Sequence, residues 1–340
     1  MLYDRFFFFI VFLSAACGCF AGGNIQKVSA AAPQPAETAK IEQNPGDASQ
    51  EGARVVPAPQ AEDARRGEQV MKALAKAYPD RIGEVLFRDG DWAVRLRFFG
   101  APEELHEKWY YYAGGRLLPE ELRERAAEYD PQPFYNYPPS LPPWKDPSPE
   151  DADRLRGQVN RRRQNPPRRS QHFYDDLWRA HNRGESWDRV KSIRFLGHPV
   201  LVHYSILEDL ALVEERILAE AVSSPQVKQW INSLDTLDGW NWRSIAETQS
   251  RSFHAYGAAL DLLPKSLGGR ETYWIWTARK IPEWWTVSYD RRFHPPDAVI
   301  KAFEAQGFIW GGKWLFFDTM HFEYRPEILI LNNLPLPEPR

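Results

Sequence analysis

The segment Ser252-Phe253-His254-Ala255-Tyr256-Gly257-Ala258-Ala259-Leu260-Asp261 sets a histidine and an aspartate seven positions apart (261 − 254) with a glycine between them. If Gly257 lies where the chain turns into a strand, Ala259 and Asp261 share one face, and their small neighbours leave room beside the carboxylate. A loop histidine and a strand carboxylate can then converge. Some 57 residues later (318 − 261), Phe317-Asp318-Thr319-Met320-His321-Phe322-Glu323 supplies a second histidine and two more carboxylates. Two imidazoles and one carboxylate can hold a zinc ion and leave its fourth position to water, as catalytic zinc requires. The same residue types also read as a hydrogen-bonded His–Asp pair without metal, and spacing alone does not separate the two.

The pattern Ser-x-His-x-x-Gly-x-Ala-x-Asp over Ser252 to Asp261 resembles the first signature of the VanY-type D-alanyl-D-alanine metallopeptidases. These are related in fold to lysostaphin-type peptidases and the hedgehog signalling domain. Asp318-x-x-His321, after Gly307-Phe308-Ile309-Trp310-Gly311-Gly312-Lys313-Trp314, is similar to the second signature, above all in the endolysin-like branch that has Asp where other branches have Glu. The resemblance implies one zinc ion held by His254, Asp261 and His321. It also implies Asp318 as the general base and Arg243 as the cation for the oxyanion or the substrate carboxylate. Ser252 would bind that carboxylate or support a neighbouring group. Met320 and Lys313 stand where the endolysin-like branch often has Pro and Asp.

Other readings of these residues stay open at this level. Arg243 also reads as a surface arginine stacked on Trp240 or Trp242, and Ser252 as a turn residue. Glu323 alternates with His321 along an expected strand and is a second base in reach of the sequence, expected to face away. His198, His203 and His294 match no signature and read as structural or exposed. Most of the tryptophans near the signatures should be core, while Tyr273 to Tyr289 could form a wall or lid of the cleft.

The elements that must position these groups follow from periodicity. Ser205 to Glu208 has a capping-box pattern, and Ile206, Leu210, Val213, Ile217 and Ala221 recur at helical spacing, predicting a core-facing helix over Ile206 to Val222. Ser224-Pro225 opens another helix, and Asp297 to Gln306, stopped by Gly307, is a third. Strands are expected over Ala258 to Leu263, Phe308 to Trp310, Trp314 to Phe317 and His321 to Tyr324. The fold class is therefore α+β, a small antiparallel sheet with packed helices.

Upstream, residues 67–130 read as a small accessory domain. It should hold a helix over Gly67 to Tyr78, a hairpin around Asp89-Gly90-Asp91, a strand over Trp109 to Tyr112 and a helix over Pro119 to Tyr129. Residues 131–170 form a Pro/Arg-rich linker that could wrap the peptidase-like part, 171–340. Residues 22–66, with no aromatic residue after Phe20, read as a disordered tether. Met1 to about residue 21 has the layout of a signal peptide, with an apolar run short of a membrane span. Cys17 and Cys19 both lie within it, so no thiol remains downstream for a disulfide or metal site, and a lipid anchor through either is an open alternative.

With 340 residues and a formal net charge of −3, the chain carries no global basic field for nucleic acid. Taken with the signal-like N-terminus, the resemblance implies an exported zinc peptidase of the periplasm or cell envelope that acts on peptidoglycan stem peptides. Its simplest form is a D-alanyl-D-alanine carboxypeptidase; rivals are a D,D-endopeptidase and a wall-binding protein that keeps the metal without turnover.

Overall fold

Val70, Met71 and Leu74 lie on one side of helix α1 (Ala58–Ala77) and are fully buried, as residues one turn apart on one helical face must be when that face meets a sheet. The sheet beneath is an antiparallel meander of β1 (Ile82–Arg88), β2 (Asp91–Phe99), β3 (Leu105–Tyr111) and β4 (Leu118–Pro119), in that order. Asp89 and Gly90 both have positive φ between β1 and β2, the two-residue turn that suits strand twist. The computed structural model describes residues 58–99 and 104–336. The expected signal segment 1–21 and residues 22–57 of the expected tether lie outside them.

Two boundaries differ from expectation here. Helix α1 starts at Ala58, inside the stretch read as tether, because its Ala-rich first turns give helix propensity that a composition argument does not register. The helix expected over Pro119 to Tyr129 is a 3₁₀ segment, Glu120–Glu128, with Arg125 off helical backbone and no buried residue to hold a regular helix down.

The expected linker, residues 131–170, carries α2 (Pro149–Gln164), capped by Ser148 and buried at Val159. Val159 of α2 is buried with Trp274, Trp284, Trp285 and Phe317, and Tyr137 is buried with Ile309, Ile328 and Leu329. The Tyr137 hydroxyl donates to Glu304 at 2.5 Å and accepts from Trp310 N–H at 2.8 Å. Lys313 Nζ donates to the Pro138 and Pro139 carbonyls at 2.9 and 3.1 Å. Aromatic residues along the segment anchor it to the part that follows, as a strap.

After α3 (His172–Trp178) and α4 (Arg183–Arg189), β5 (Val190–Phe195) and β6 (His198–His203) form a hairpin. Helices α5 (Leu207–Ser223) and α6 (Pro225–Ser233) follow the expected periodicity. Ser224 caps α6 as read, but Ser205 does not cap α5: its hydroxyl meets His203 Nδ1 at 2.6 Å, across a short 3₁₀ turn. The remaining elements are β7 (Leu234–Asp238), β8 (Ala259–Pro264), α7 (Trp274–Ala278), α8 (Asp297–Glu304), β9 (Phe308–Trp310), β10 (His321–Tyr324) and α9 (Pro326–Leu331).

The second sheet has the antiparallel order β7-β8-β10-β9. One face is apolar, with Leu260, Leu262 and Phe322 buried under helices and Phe303 of α8 stacked 4.1 Å from Phe322. Trp314 to Phe317, expected as a strand, leaves the ladder after a 3₁₀ turn at Gly311–Lys313. Its alternation serves instead to seat Phe316 against Trp274 and Trp284. A single core runs from Val70 and Leu74 through Tyr174 to Leu260 and Phe322, so the accessory and C-terminal parts are not separated by a packing gap. The architecture is α+β with small antiparallel sheets, as the sequence implies. Among the described residues no helix is long and apolar enough to cross a membrane.

Candidate metal centre

His254 sits in a 3₁₀ turn, Phe253–Tyr256, and the hydroxyl of Ser252 caps that turn by accepting from His254 N–H at 3.4 Å. The chain can leave the turn only through glycine: Gly257 has φ +71°, and a Cβ there would stand 2.8 Å from His203 N. On the other side, a Cβ on Gly239 would stand 2.0 Å from the Leu201 carbonyl oxygen. This close approach lets the Gly239 carbonyl accept from His254 Nδ1–H at 2.5 Å. With its proton assigned to Nδ1 by that bond, the imidazole turns the Nε2 lone pair inward.

Asp261 and His321 are direct partners across β8 and β10, so they project on the same face of the sheet. His254 Nε2 lies 3.2 Å from Asp261 Oδ1 and 3.1 Å from His321 Nδ1, and His321 Nδ1 lies 2.8 Å from Asp261 Oδ1. All three residues are buried, and their donor atoms fall within 4.8 Å of one another. Two residues further along β10, Glu323 Oε2 accepts from His321 Nε2–H at 3.3 Å. Both imidazoles thus have their outer N–H engaged, and two lone pairs and a carboxylate face one another. Such a set is repulsive unless a cation or a proton lies among them, and an N₂O set with outer partners on both rings is what a zinc site requires. The residues fit one zinc ion.

The electrostatics follow from the same crowding. Burial alone would lower the His321 imidazole, but the Asp261 and Glu323 carboxylates more than reverse this and push it up to about 10. Burial works against the Asp261 carboxylate, yet the His254 and His321 rings hold it well below the usual carboxylate range. Asp318 is pushed up to about 8, first by burial and then by the Asp261 charge, against the opposing pull of His321 and Arg243.

Asp318 is positioned by a short pairing of chain segments. Trp274 N–H donates to the Phe317 carbonyl at 3.0 Å, Thr319 N–H to the Thr272 carbonyl at 2.8 Å, and Tyr273 bridges Asp318. Its Oδ1 is buried with no hydrogen-bond partner among the described residues. Arg243 is exposed, its carbonyl accepting from Ser252 N–H at 3.1 Å, and its guanidinium is near enough to lower both Asp318 and Tyr273. Ser252, by contrast, is buried at the cap of the His254 turn. His203, His198 and His294 join no metal-competent group among the described residues. His203 is a buried structural histidine, donating to the Trp178 carbonyl at 3.0 Å and pushed down to about 3 by burial.

Several neighbours carried no assigned role in the sequence beyond a wall, a core or a second base. Tyr273 is pushed up to about 12, by burial and then by Asp318, while Arg243 and Arg162 pull the other way. Trp314 lies 5.4 Å from the His321 ring and stacks on Tyr135 of the strap at 5.1 Å. Arg162 of α2 lies 4.4 Å over Phe316. Glu323 was in reach of the sequence, two residues from His321, but as a base facing away; the structure has it gripping the ring.

Residues 70–134 match a domain family of unknown function. No curated protein and no solved structure matches the chain. Residues 246–324 match the family model of D-alanyl-D-alanine carboxypeptidase, a stretch that contains His254, Asp261, Asp318, His321 and Glu323 but not Arg243, and this similarity supports a peptidase-type hydrolase domain.

Proposed function

We propose that this protein is a zinc-dependent peptidase of the bacterial cell envelope that removes the terminal D-alanine from peptidoglycan stem peptides. The observation that carries the proposal is the convergence of His254 Nε2, Asp261 Oδ1 and His321 Nδ1, all buried and each ring fixed from behind. These three would hold one zinc ion, which when bound supplies a Lewis acid for a peptide carbonyl and for water.

The chain's own residues supply the rest. Asp318, with a buried and unpartnered carboxylate oxygen, takes a proton from the attacking water and passes it to the departing amine. Arg243, exposed beside Asp318, receives the free carboxylate of the terminal residue, the feature that separates a carboxypeptidase substrate from an internal bond. Ser252 works through the backbone of His254. An N-terminal signal or lipid anchor would bring the domain to its polymer.

Purified protein incubated with monomeric and cross-linked muropeptides tests this by product mass. Loss of one terminal alanine is expected; splitting of dimers would transfer the reading to an endopeptidase. Hydrolysis that persists after complete removal of metal would overturn it.

A further inference from the structure

The outer partner of His321 is itself held by a buried chain of charges that ends in the accessory part of the molecule. Glu323, Arg325 and Glu327 are 6, 1 and 0 % exposed. Arg325 Nη1 donates to Glu323 Oε1 at 3.4 Å, and Arg325 Nε donates to Glu327 Oε1. The hydroxyl of Tyr174 on α3 donates to Glu327 Oε1 at 3.2 Å. The other oxygen, Oε2, accepts from the hydroxyl of Tyr78 at 2.9 Å, 249 positions away in sequence and just past the end of α1. Aromatic rings enclose the chain: Trp178 meets Tyr78 edge-on at 6.3 Å, and the Arg325 guanidinium lies 4.7 Å over Phe253, the neighbour of His254.

Two carboxylates and one guanidinium buried together leave an excess negative charge, which low-dielectric surroundings tolerate only when every oxygen has a donor. Glu327 Oε2 depends on Tyr78 for that. A Glu327 deprived of it would draw more of Arg325, loosening the grip of Arg325 on Glu323 and hence of Glu323 on His321. Outer partners of this kind set metal affinity by orienting the ligand ring.

We propose that the unit spanning residues 70–134 is a positioning module for the metal centre, acting through Tyr78, Glu327, Arg325 and Glu323 on His321. This rests on the reading of His321 as a zinc ligand. The test uses the full chain and three variants. Zinc affinity is measured by competition with a chromophoric chelator, and amide hydrogen exchange of residues 321–324 is followed in metal-free protein. Glu323→Gln is expected to weaken zinc about 10–100-fold and Tyr78→Phe by several-fold, with faster exchange in 321–324. Tyr110→Phe is the control: it removes another buried hydroxyl of the same unit, one bonded to Asp176 outside the chain of charges, and should leave both readouts at wild type.

Equal zinc affinity and equal exchange in Tyr78→Phe and Tyr110→Phe would overturn the proposal. Should the wild type bind no zinc, the peptidase reading falls on its own, and the exchange of 321–324 still decides this one. Where Tyr78→Phe does not fold, Tyr78→Met, which likewise removes the hydroxyl donor to Glu327 Oε2, is read by the same criteria.

Discussion

On the β1–β4 sheet, Arg95 pairs with Glu84 at 2.6 Å and with Glu107 at 3.0 Å on a solvated face, and Arg97 joins Glu107 at 3.1 Å. On the β7-β8-β10-β9 sheet, Asp261, His321 and Glu323 are buried and crowd against His254. Each charge of the first ladder has an opposite partner and water shares it, so each pair is worth little. The second has polar atoms aimed at a common point, an arrangement whose desolvation cost only an added cation or proton offsets. Polar residues on one sheet serve solubility and register; on the other they describe a ligand that the sequence does not contain.

The largest effect that would sharpen this contrast is chemical. Asp318→Asn keeps the shape of the side chain and should lower peptide hydrolysis on the order of 10²–10⁴-fold, with zinc content by elemental analysis unchanged. Full activity in that variant would remove Asp318 from the mechanism and leave the buried sheet a metal site only.

Gly257→Ala probes the turn that carries His254. The positive φ of +71° and a Cβ 2.8 Å from His203 N both oppose it, so a loss of about 1–3 kcal/mol in urea unfolding is expected, together with weaker zinc binding. An unchanged midpoint would mean the turn has freedom that the contacts do not suggest.

His181 tests what lies between the extremes. Its Nε2 meets Asp176 at 2.6 Å and its Nδ1 meets Glu185 at 2.7 Å, with nearly half the side chain exposed. The bond to Asp176 pushes it up to about 9 against burial, with Glu185 adding to the rise. Because the folded value exceeds the unfolded one near 6.5, the stabilisation is fully present below about pH 6.5 and is lost as pH rises through about 9. His181→Gln should therefore cost on the order of 1 kcal/mol at pH 6 after solvent screening and nearly nothing above pH 9.5, read from urea midpoints at the two pH values. A pH-independent difference would break the ion-pair account.

The smallest effect belongs to the solvated sheet. Arg95→Gln should shift stability by no more than about 0.5–1 kcal/mol, less in high salt, and should not touch zinc binding. A larger loss would show that the two sheets are less different than their exposure implies.

Much of the candidate site was legible because its chemistry lies in two short segments. The spacing of His254, Gly257 and Asp261, and of Asp318 and His321, records local turns and strands; the structure brings the donor atoms of His254, Asp261 and His321 within 4.8 Å of one another, Asp318 feels the charges of Asp261 and His321, and Gly257 shapes the turn. Ser252 was legible as a turn residue, and that is the position it takes. The anchors of the strap were not legible because composition carries no record of where Tyr135 and Tyr137 land; their partners, Trp314 and Trp310, lie far along the chain. Trp314 to Phe317 misled because alternation is satisfied as well by aromatic packing as by a ladder.

The sequence by itself determined the periodic helices α5, α6 and α8 and the strands β8, β9 and β10, since each depends on spacing within one turn or strand, while the donor set His254, Asp261 and His321 needed the resemblance of two separated segments to a known family. Only the tertiary structure decided that Gly239 and Glu323 fix the two imidazoles, that Asp318 keeps an unpartnered oxygen, and that Tyr78 reaches Glu327. The reason is physical: hydrogen bonds and Coulomb interactions act over a few ångströms in space. For most of these pairs the distance along the chain says nothing about the distance through the fold.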